Sequence, residues 1–316
     1  KNMNKYRTHL LKDINETLAG QDVVVSGWVE NIRDHGGVLF LDLRDETSTL
    51  QTVSNDDDMF KGIAKESVVK LTGKIRRREE GTENDRISTG NVEMVVDSLE
   101  MLGSCVHELP FEIMTSKQTK DDVRLKYRYL DMRNEAVKKN MVLRSDILHF
   151  LRNKMYDLGF TEIQTPILTA SSPEGARDFV VPSRLFKGKF YALPQAPQIY
   201  KELLMVGGMG KYFQIAPCFR DEDARADRTL EFYQLDMEMS FVEEDEVLEV
   251  GESIFYDTFT KFSNKEVSKP PFRRIAYRDA MEMYGSDKPD LRNPLIIKDA
   301  SVVLKDTTFG PFKKST

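Results

Sequence analysis

Residues 218–241 read "CFRDEDARADRTLEFYQLDMEMSF", and the second half of this stretch decides the fold. From Glu231 to Ser240, apolar and polar residues alternate with a period of two, which predicts a β-strand. One face of this strand has core residues, namely Tyr233, Leu235, Met237 and Met239. The opposite face has a phenyl ring, an amide and two carboxylates, from Phe232, Gln234, Asp236 and Glu238. The preceding residues predict a partner strand that ends at "FRDE", so we expect an antiparallel hairpin around the loop "DARADR".

The polar face of this hairpin has the groups that would bind a nucleotide beside an amine. Arg220 and Glu222 share a face of the first strand. An arginine binds phosphate through a permanent charge and a planar pair of donors, a phenyl face stacks on a purine, and a carboxylate binds an ammonium group. A solvent-exposed sheet face with charge pairs would give the same spacing, so the pattern alone leaves both interpretations open.

The composition limits the classes of protein to consider. The chain has 316 residues and a formal net charge of −6. We therefore expect two domains and, at most, a local basic surface for nucleic acid. The cysteines Cys105 and Cys218 match no metal or disulfide spacing, which favours a reducing, cytoplasmic location. The sequence has no apolar run long enough to suggest a membrane partner.

Residues 1–104 predict a small closed β-barrel. Segments rich in valine, leucine and isoleucine alternate with turn-like sequences, which suits a five-stranded oligonucleotide-binding (OB) fold, with a β-sandwich as the alternative. In "GVLFLDLRD" (37–45), inward leucines would turn Phe40 outward. Phe40, with Arg33 and the basic "KIRRR" (74–78), would then bind an unpaired nucleotide by stacking and charge. A core Phe40 beside a solvated "RRR" is an equally open alternative.

The rest of the chain predicts an α+β fold, an antiparallel sheet flanked by helices. After a linker or hinge at 105–130, we expect a helix capped by Asn134, with an apolar stripe of Val137, Met141, Leu148, Leu151 and Met155. The segment "FTEIQTPIL" (160–168) predicts a strand with Pro166 at an edge or bend. Further strands are expected at 189–194 and 211–222.

Two more helices are expected in this part of the chain. "PQIYKELLMVGG" (197–208) predicts a helix closed by glycine. Residues 243–264 predict an amphipathic helix with a stripe of Val247, Val250, Ile254, Phe255 and Phe259.

At the hairpin, the sequence resembles a known family. "CFRDEDARADRTLEFYQLDME" closely resembles motif 2 of the class II aminoacyl-tRNA synthetases, in the form found in the bacterial aspartyl-tRNA synthetase family. "GFTEIQTPILT" resembles motif 1, with Pro166 as its proline, and "SPEGARDFVVPSR" and "FYALPQAPQIYKELLM" resemble the amino-acid pocket segments. "YGSDKPDLRNP" resembles the lead into the bacterial inserted domain, and the barrel resembles the anticodon-binding domain. The resemblance covers nearly the whole chain.

The resemblance implies a role in attaching L-aspartate to tRNA(Asp) through an aspartyl-adenylate, with ATP as substrate and Mg²⁺ as cofactor. By resemblance, Arg220 holds the α-phosphate and Phe232 stacks on the adenine. Glu222 reads the adenine edge or the tRNA acceptor end, and Arg228 reaches the outer phosphates or the tRNA end. The implied ATP-binding set comprises Arg220, Asp221, Glu222, Thr229 and Phe232, and the implied catalytic set comprises Arg220, Glu222 and Arg228.

The resemblance also implies a pocket for aspartate. Glu174 and Asp236 match the positions around the substrate amino group, and Arg220 belongs to the same set. Lys201 matches the lysine that pairs with the side-chain carboxylate, and Gln198 helps to fix orientation. The i, i+3 spacing independently places Gln198 and Lys201 on one helix face. Asparagine would leave Lys201 buried without an anion, although a lone helix lysine is more often solvated.

In the barrel, the resemblance assigns contacts with the tRNA anticodon. Phe40 and Gln51 match positions that contact bases, and Arg33 and Arg78 match nearby contacts. Members that read only the aspartate anticodon tend to have Leu at the position of His35 and Lys at the position of Gly81. The His and Gly pair resembles the non-discriminating form, which also charges tRNA(Asn).

Part of the family pattern is missing from this sequence. No segment resembles motif 3, and the acidic residues expected to hold Mg²⁺ are also missing, so we expect no metal site in these residues. On this interpretation, the chain is the N-terminal part of a longer enzyme and is inactive alone. Its class II core, with motifs 1 and 2, would span 131–292, and 293–316 would begin the inserted domain. The resemblance also implies a homodimer through motif 1.

Two alternatives remain open at this point. The chain could be a non-catalytic tRNA-binding fragment or relative that lacks motif 3. It could also belong to a sister asparaginyl- or lysyl-tRNA synthetase with the same barrel. Lys201 and the "SPEGARD" segment favour aspartate.

Overall fold

The computed structural model describes residues 4–56, 58–172, 174–225 and 227–313. The chain divides into two compact units, Lys1–Asn134 and Glu135–Thr316. The domain boundaries expected at 104, 130 and 292 stay predictions. Residues 1–3, 57, 173, 226 and 314–316, which fall within the predicted domains, lie outside the described residues.

The first unit is built on a closed five-stranded barrel. Its strands are β1 (Asp22–Asp34), β2 (Leu39–Arg44), β3 (Thr49–Ser54), β4 (Val68–Arg77) and β5 (Val92–Gly103). They close in the order β1-β2-β3-β5-β4. The β3–β5 pair is parallel and the other neighbouring pairs are antiparallel. Because the barrel closes, the OB-fold prediction is confirmed and the β-sandwich alternative is wrong.

The alternation along β2 separates the barrel core from its outer surface. Leu41 and Leu43 are fully buried in the core, whereas Phe40, which directly precedes Leu41, is half-buried on the other side of the strand. A Cβ atom on Gly73 would lie 2.0 Å from the carbonyl oxygen of Val95. This close approach occurs at a bulge in the β4–β5 pairing, so only glycine lets the strands close there.

The predicted linker is folded rather than extended. It contains two short helices, α1 (Asp121–Lys126) and α2 (Arg128–Asp131), and a small core of Phe111, Ile113 and Leu130. The carboxylate of Asp131 is fully buried and accepts hydrogen bonds from Ser116, Arg124 and Arg128. Burial raises the pKa of Asp131, but these donors outweigh it, so the pKa is lowered. Asp131 therefore stays ionised and holds the segment together.

The second unit contains a three-stranded sheet, a short hairpin and six helices among its described residues. The helices are α3 (Glu135–Asp157), α4 (Gln198–Val206), α5 (Glu244–Phe262), α6 (Tyr277–Tyr284), α7 (Ser301–Leu304) and α8 (Gly310–Lys313). The strands are β6 (Thr161–Glu162), β7 (Val180–Pro182), β8 (Phe190–Ala192), β9 (Lys211–Phe219) and β10 (Glu231–Met239). The sheet order is β10-β9-β6, with β9 and β10 antiparallel and β6 parallel to β9. The hairpin around residues 220–230 is therefore confirmed.

The strand predicted over residues 160–168 is much shorter than expected. Only Thr161 and Glu162 pair with β9. Beyond them, the buried side chain of Gln214 accepts a hydrogen bond from the backbone NH of Thr165 at 3.1 Å and donates to its hydroxyl at 3.0 Å. Pro166, which has no NH group for a ladder, lies exposed after this point. Side-chain bonds and proline thus replace the expected ladder.

The two longest helices pack on narrower faces than the sequence predicts. Along α3, Val137 and Met155 are buried, but Met141 is 50% exposed, and all the residues from 139 to 146 are exposed as well. Along α5, Val250 and Ile254 pack into the core. Phe255 and Phe259 instead face outward and stack on each other, with ring centroids 6.4 Å apart. The predicted stripes were wrong at Met141, Val247, Phe255 and Phe259, since Val247 is also exposed.

Among the described residues, no helix combines the length and apolar character needed to cross a bilayer.

A buried ion-pair network holds β2 to the end of the first unit. Both carboxylate oxygens of Glu66 accept from one nitrogen of Arg44, at 2.7 and 2.8 Å. Arg133 also donates to Glu66 at 2.7 Å, and its guanidinium lies 5.0 Å from the centroid of the Trp28 ring. Because Glu66 neutralises two arginines away from water, its loss would leave buried positive charge.

We expect Glu66→Gln to destabilise the first unit by about 3 kcal/mol, because breaking a buried ion pair leaves an uncompensated charge. Urea unfolding followed by the fluorescence of Trp28 measures this loss. Glu112→Gln is the matched control, since the Glu112–Lys65 pair is exposed and its loss should change stability by less than about 0.5 kcal/mol. Equal effects of the two substitutions would contradict the proposed role of the network.

Candidate functional site

The register between β9 and β10 defines one polar face of the sheet. Residues directly opposite each other in an antiparallel pair share a face. The pairs on this face are Phe232 with Cys218, Gln234 with Ala216, Asp236 with Gln214 and Glu238 with Tyr212. The polar side chains that the sequence placed on β10 therefore lie beside a second, largely buried row on β9.

Helix α4 brings Lys201 onto this face. The Nζ atom of Lys201 donates to Oδ1 of Asp236 at 2.9 Å and lies 3.4 Å from Oε2 of Glu238. Burial lowers the pKa of Lys201, but the hydrogen bond and charge of Asp236, followed by those of Glu238, outweigh it and raise the pKa. The other oxygen of Asp236, Oδ2, is buried and has no hydrogen-bond partner among the described residues. This pocket thus combines a fixed cation with an acceptor that still has bonding capacity.

Arg220 and Phe232 lie together at the loop end of the same hairpin. The guanidinium carbon of Arg220 lies 5.1 Å from the centroid of the Phe232 ring. The backbone NH of Arg220 donates to the carbonyl of Leu230 at 2.9 Å, which fixes the strand ends. The Nε atom of Arg220 is buried without a partner among the described residues. A cation beside an aromatic face, with a free donor, suits a phosphate attached to a planar base.

The remaining predicted nucleotide residues belong to the exposed loop. The closest atoms of Arg228 and Glu222 are 4.0 Å apart. The backbone NH of Asp221 donates to the carbonyl of Arg177 at 3.0 Å, and the hydroxyl of Thr229 donates to the carbonyl of Glu231 at 2.6 Å. The loop therefore holds these residues near the strand ends without enclosing them.

Glu174 and Gln198 form no described hydrogen bond with Lys201 or Asp236. Glu174 is exposed and accepts a hydrogen bond from the hydroxyl of Ser172 at 3.5 Å. Its charge nevertheless reaches Cys218, because it contributes to raising the pKa of that thiol. The amide of Gln198 donates to Glu202 on the same helix at 2.6 Å. The aspartate-binding roles of both residues remain predictions.

Four buried residues near the pocket were missed by the sequence analysis. Gln195 donates to Asp178 at 2.5 Å and to the carbonyl of Ala176 at 3.0 Å, so it shapes the segment that carries Glu174. It also lines a cavity of 130 Å³ beside α4. The other three are on β9, namely Tyr212, Gln214 and Cys218. They could have been found only through the strand register, because β9 reads as an ordinary apolar strand.

Burial keeps the β9 groups neutral. Burial and then the charge of Asp236 raise the pKa of Tyr212, whose hydroxyl accepts a hydrogen bond from Gln214 at 2.9 Å. Burial is also the main reason why the pKa of Cys218 is raised to about 11, against the opposing charge of Arg220. Its thiol therefore donates to the amide oxygen of Gln234 at 3.3 Å. Since the β9 side chains are neutral, the charged groups of this face are Lys201, Arg220 and the carboxylates of β10.

The barrel brings Arg33 and Gln51 together on its outer surface. One nitrogen of Arg33 donates to Asp42 at 2.8 Å and to Gln51 at 3.3 Å, and Gln51 donates to Glu93 at 2.8 Å. Arg78 donates to the carbonyls of Val92 and Thr82. Its Nη2 atom is buried without a partner among the described residues. These donors and acceptors are the kind that read base edges.

His35, Phe40 and Gly81 have exposed or half-exposed positions in the barrel. The rings of His35 and Phe40 meet edge to face, with centroids 5.7 Å apart. Gly81 has a left-handed φ of 85°, and nothing lies within 4 Å of where its Cβ would be. The space at Gly81 is therefore open, although its backbone favours glycine.

The described residues contain no group of three or more His, Cys, Asp or Glu side chains placed to hold a metal ion. Within the hairpin, Asp236 and Glu238 pair with Lys201, Asp221 with Arg177 and Glu222 with Arg228.

Two family models match the chain. "tRNA synthetases class II (D, K and N)" matches residues 120–307, and "OB-fold nucleic acid binding domain" matches residues 23–102. The structures that the chain resembles include an asparaginyl-tRNA synthetase from Pyrococcus horikoshii, with a TM-score of 0.73, 24% identity and coverage of 86% of this chain and 65% of that one. An aspartyl-tRNA synthetase from Entamoeba histolytica gives a TM-score of 0.71 at 23% identity, over 89% and 64% of the two chains. At these identities the likeness shows the fold.

Curated relatives match over almost the whole chain. Proteins named Aspartate–tRNA(Asp/Asn) ligase are 52% identical in Pelagibacter ubique and 53% identical in Anaplasma phagocytophilum. Each match covers 99% of this chain and 54% or 53% of the relative, so the chain spans about half the length of these proteins. Because a family model matches more than half of the chain, residues 120–307, the chain belongs to the class II tRNA synthetases of the D, K and N group.

Proposed function

We propose that the native protein carrying this chain activates L-aspartate with ATP and attaches it to tRNA(Asp). The observation that carries the proposal is the buried Lys201–Asp236 pair beside Arg220 and Phe232. Lys201 supplies a cation for the substrate β-carboxylate. The free oxygen of Asp236 accepts from the substrate ammonium group. The names of the curated relatives support the same activity.

The chemistry requires two displacements. In the first, an oxygen of the aspartate α-carboxylate attacks the α-phosphorus of ATP, and pyrophosphate leaves with the electron pair of the broken bond. Both reactants are anions, so catalysis depends on holding them in line and neutralising their charge. Arg220 supplies that charge at the α-phosphate, while Phe232 stacks on the adenine. In the second, a hydroxyl of the terminal adenosine of the tRNA attacks the acyl carbon, and AMP leaves.

Mg²⁺ would neutralise the outer phosphates during the first displacement. Those phosphates would extend toward the loop end of the hairpin, which carries Glu222, Arg228, Asp221 and Thr229. Their exposure allows them to move onto the nucleotide or the tRNA end.

Lys201 also gives the proposed basis of selectivity. Aspartate brings a negative charge to a buried cation, whereas asparagine brings only an amide dipole. Discrimination through a buried charge is larger than discrimination through shape alone, because a wrong substrate leaves polar groups unsatisfied. We infer that the site favours aspartate over asparagine and lysine.

The proposed assembly is a cytoplasmic homodimer formed through motif 1. Two exposed apolar segments in the second unit support it, residues 141–143 in the N-terminal half of α3 and 166–168 after β6. Both cysteines are free thiols, in keeping with a reducing compartment.

We expect Lys201→Met to lower kcat/KM for aspartate in pyrophosphate exchange by about two orders of magnitude or more, because it leaves the buried Asp236 and the half-buried Glu238 without their cation. The full-length native protein is the material for this assay. Lys211→Met is the matched control, since Lys211 is an exposed lysine whose Nζ donates to the carbonyl of Leu158 and lies over the Phe160 ring, away from Asp236 and Glu238. An unchanged KM and kcat for aspartate in Lys201→Met would refute the proposed pocket.

We further propose that tRNA(Asn) is a second substrate. The support comes from His35 and Gly81, the pair that resembles the non-discriminating form, and from the Asp/Asn specificity in the names of the relatives. The open space at Gly81 provides no side chain to oppose a different anticodon base.

Installing the discriminating residues should narrow this tRNA specificity. We expect His35→Leu with Gly81→Lys to reduce charging of tRNA(Asn) relative to tRNA(Asp) by about tenfold, as one or two contacts of about 1 kcal/mol each would give. Initial rates with the two purified tRNAs measure the ratio. Gly81→Ala controls for strain at a left-handed backbone position. A wild-type protein that already rejects tRNA(Asn) would rule out the proposal.

A further inference from the structure

A short hairpin in the second unit is not used by the proposed chemistry. Strands β7 and β8 pair antiparallel, with Val180 opposite Ala192 and Pro182 opposite Phe190. Their turn is closed by backbone hydrogen bonds from Ser183 to Lys189 at 2.9 Å and from Lys189 to Phe186 at 3.0 Å. Gly188, with a φ of 74°, supplies the left-handed residue of the turn. The projection is therefore an ordered element, and we call residues 180–192 the basic hairpin.

The basic hairpin is locally positive in an acidic protein. The chain has 52 acidic residues among 316, yet none occurs between residues 179 and 201. Arg184, Lys187 and Lys189 are exposed, and none of them forms an ion pair with any residue that the structure describes. Unpaired cations at this density attract a polyanion.

Exposed aromatic rings accompany the charges. Phe186, in the turn, is 63% exposed, and Phe190, at the start of β8, is 59% exposed. Cations along a backbone path with aromatic rings between them are the recurring surface for single-stranded nucleic acid, because phosphates meet the charges and bases stack on the rings. A hairpin that docked on protein would gain from the rings but would have to desolvate three unpaired cations.

The base of the hairpin is tied to the candidate site within the same unit. The backbone NH of Leu193, directly after β8, donates to the carbonyl of Phe179 at 2.8 Å. The next residue, Pro194, accepts from Phe219 at the end of β9 at 2.9 Å. Phe219 precedes Arg220, and β8 leads into the helix that carries Lys201. A strand bound along the hairpin would thus lead toward the reacting groups.

From this placement, we propose that the basic hairpin binds the single-stranded 3′ end of the tRNA acceptor arm. Arg184, Lys187 and Lys189 contact its phosphates, and Phe186 stacks on an unpaired base. This inference rests on the proposed function, since it assigns a surface to the same tRNA substrate. It adds a binding surface that neither the anticodon face nor the charged loop provides.

The test compares two RNA probes with the full-length native protein. One probe is a minihelix of the tRNA(Asp) acceptor stem with its single-stranded 3′ end, and the other is the anticodon stem–loop. We expect Lys187→Glu with Lys189→Glu to weaken binding of the minihelix by about tenfold near 150 mM salt, and to lower its salt slope by about 1.5. Binding of the anticodon stem–loop should change by less than about twofold, since phosphate contacts act locally.

A matched control reverses the same number of charges elsewhere in the unit. Lys265 and Lys269 are exposed on the segment after α5, and Lys265→Glu with Lys269→Glu should leave minihelix binding unchanged. Phe186→Ser tests the stacking contact and should weaken the minihelix by about fivefold without changing the salt slope. If the charge-reversed hairpin unfolds, Lys187→Gln with Lys189→Gln gives the same comparison with a smaller charge change.

The possible outcomes separate this inference from the function on which it rests. If the wild-type protein binds both probes and the hairpin variants bind the minihelix equally well, this inference is wrong but the proposed function still stands. A hairpin variant that changes the oligomeric state but not RNA affinity also overturns it, in favour of a protein contact. A wild-type protein that binds neither probe and does not activate aspartate overturns the proposed function and this inference together.

Discussion

The antiparallel register of β9 and β10 is the constraint on which the candidate site depends. Side chains alternate along a strand, so a slip by one residue would turn Phe232, Gln234, Asp236 and Glu238 to the opposite face. The apolar face of β10, with Leu235, Met237 and Met239 in the core, prevents that slip. Core packing on one side of the sheet therefore fixes the polar groups on the other. The stable fold and the reactive surface are two faces of one hairpin.

Under the proposed function, the Lys201–Asp236 pair serves recognition of the substrate more than stability of the fold. Removing two charges from water costs several kcal/mol, and their attraction repays this only with good geometry and satisfied partners. Here Asp236 keeps one buried oxygen without a partner among the described residues. Under the proposed function, this oxygen would accept a hydrogen bond from the substrate ammonium group.

The sequence predicted the elements in which one periodicity dominates. The barrel strands and β10 alternate clearly, so their existence followed from residue order, as did the burial of Leu235, Met237 and Met239. Tyr233, which was expected on the same core face, is instead 51% exposed. The predicted burial of Phe255 and Phe259 was wrong because helix periodicity does not show which of two adjacent apolar rows packs against the rest of the unit. Tyr212, Gln214 and Cys218 were missed because cross-strand register brings them to the site, and register is a property of two strands. The length of β6 was overestimated because the side chain of Gln214, far away in sequence, makes the hydrogen bonds at Thr165 that a longer strand would have made.

The two recognition surfaces differ in how readily they can change. In the second unit a buried cation must be matched by charge, so a wrong amino acid meets a penalty of several kcal/mol. On the barrel, Arg33 divides its donors between Asp42 and Gln51 at a partly exposed surface, where each contact is worth about 1 kcal/mol. Under the proposed function, amino-acid choice is therefore rigid, while tRNA choice can shift with one or two exposed residues. Gly81 and His35 lie where such a shift would leave the barrel core unchanged.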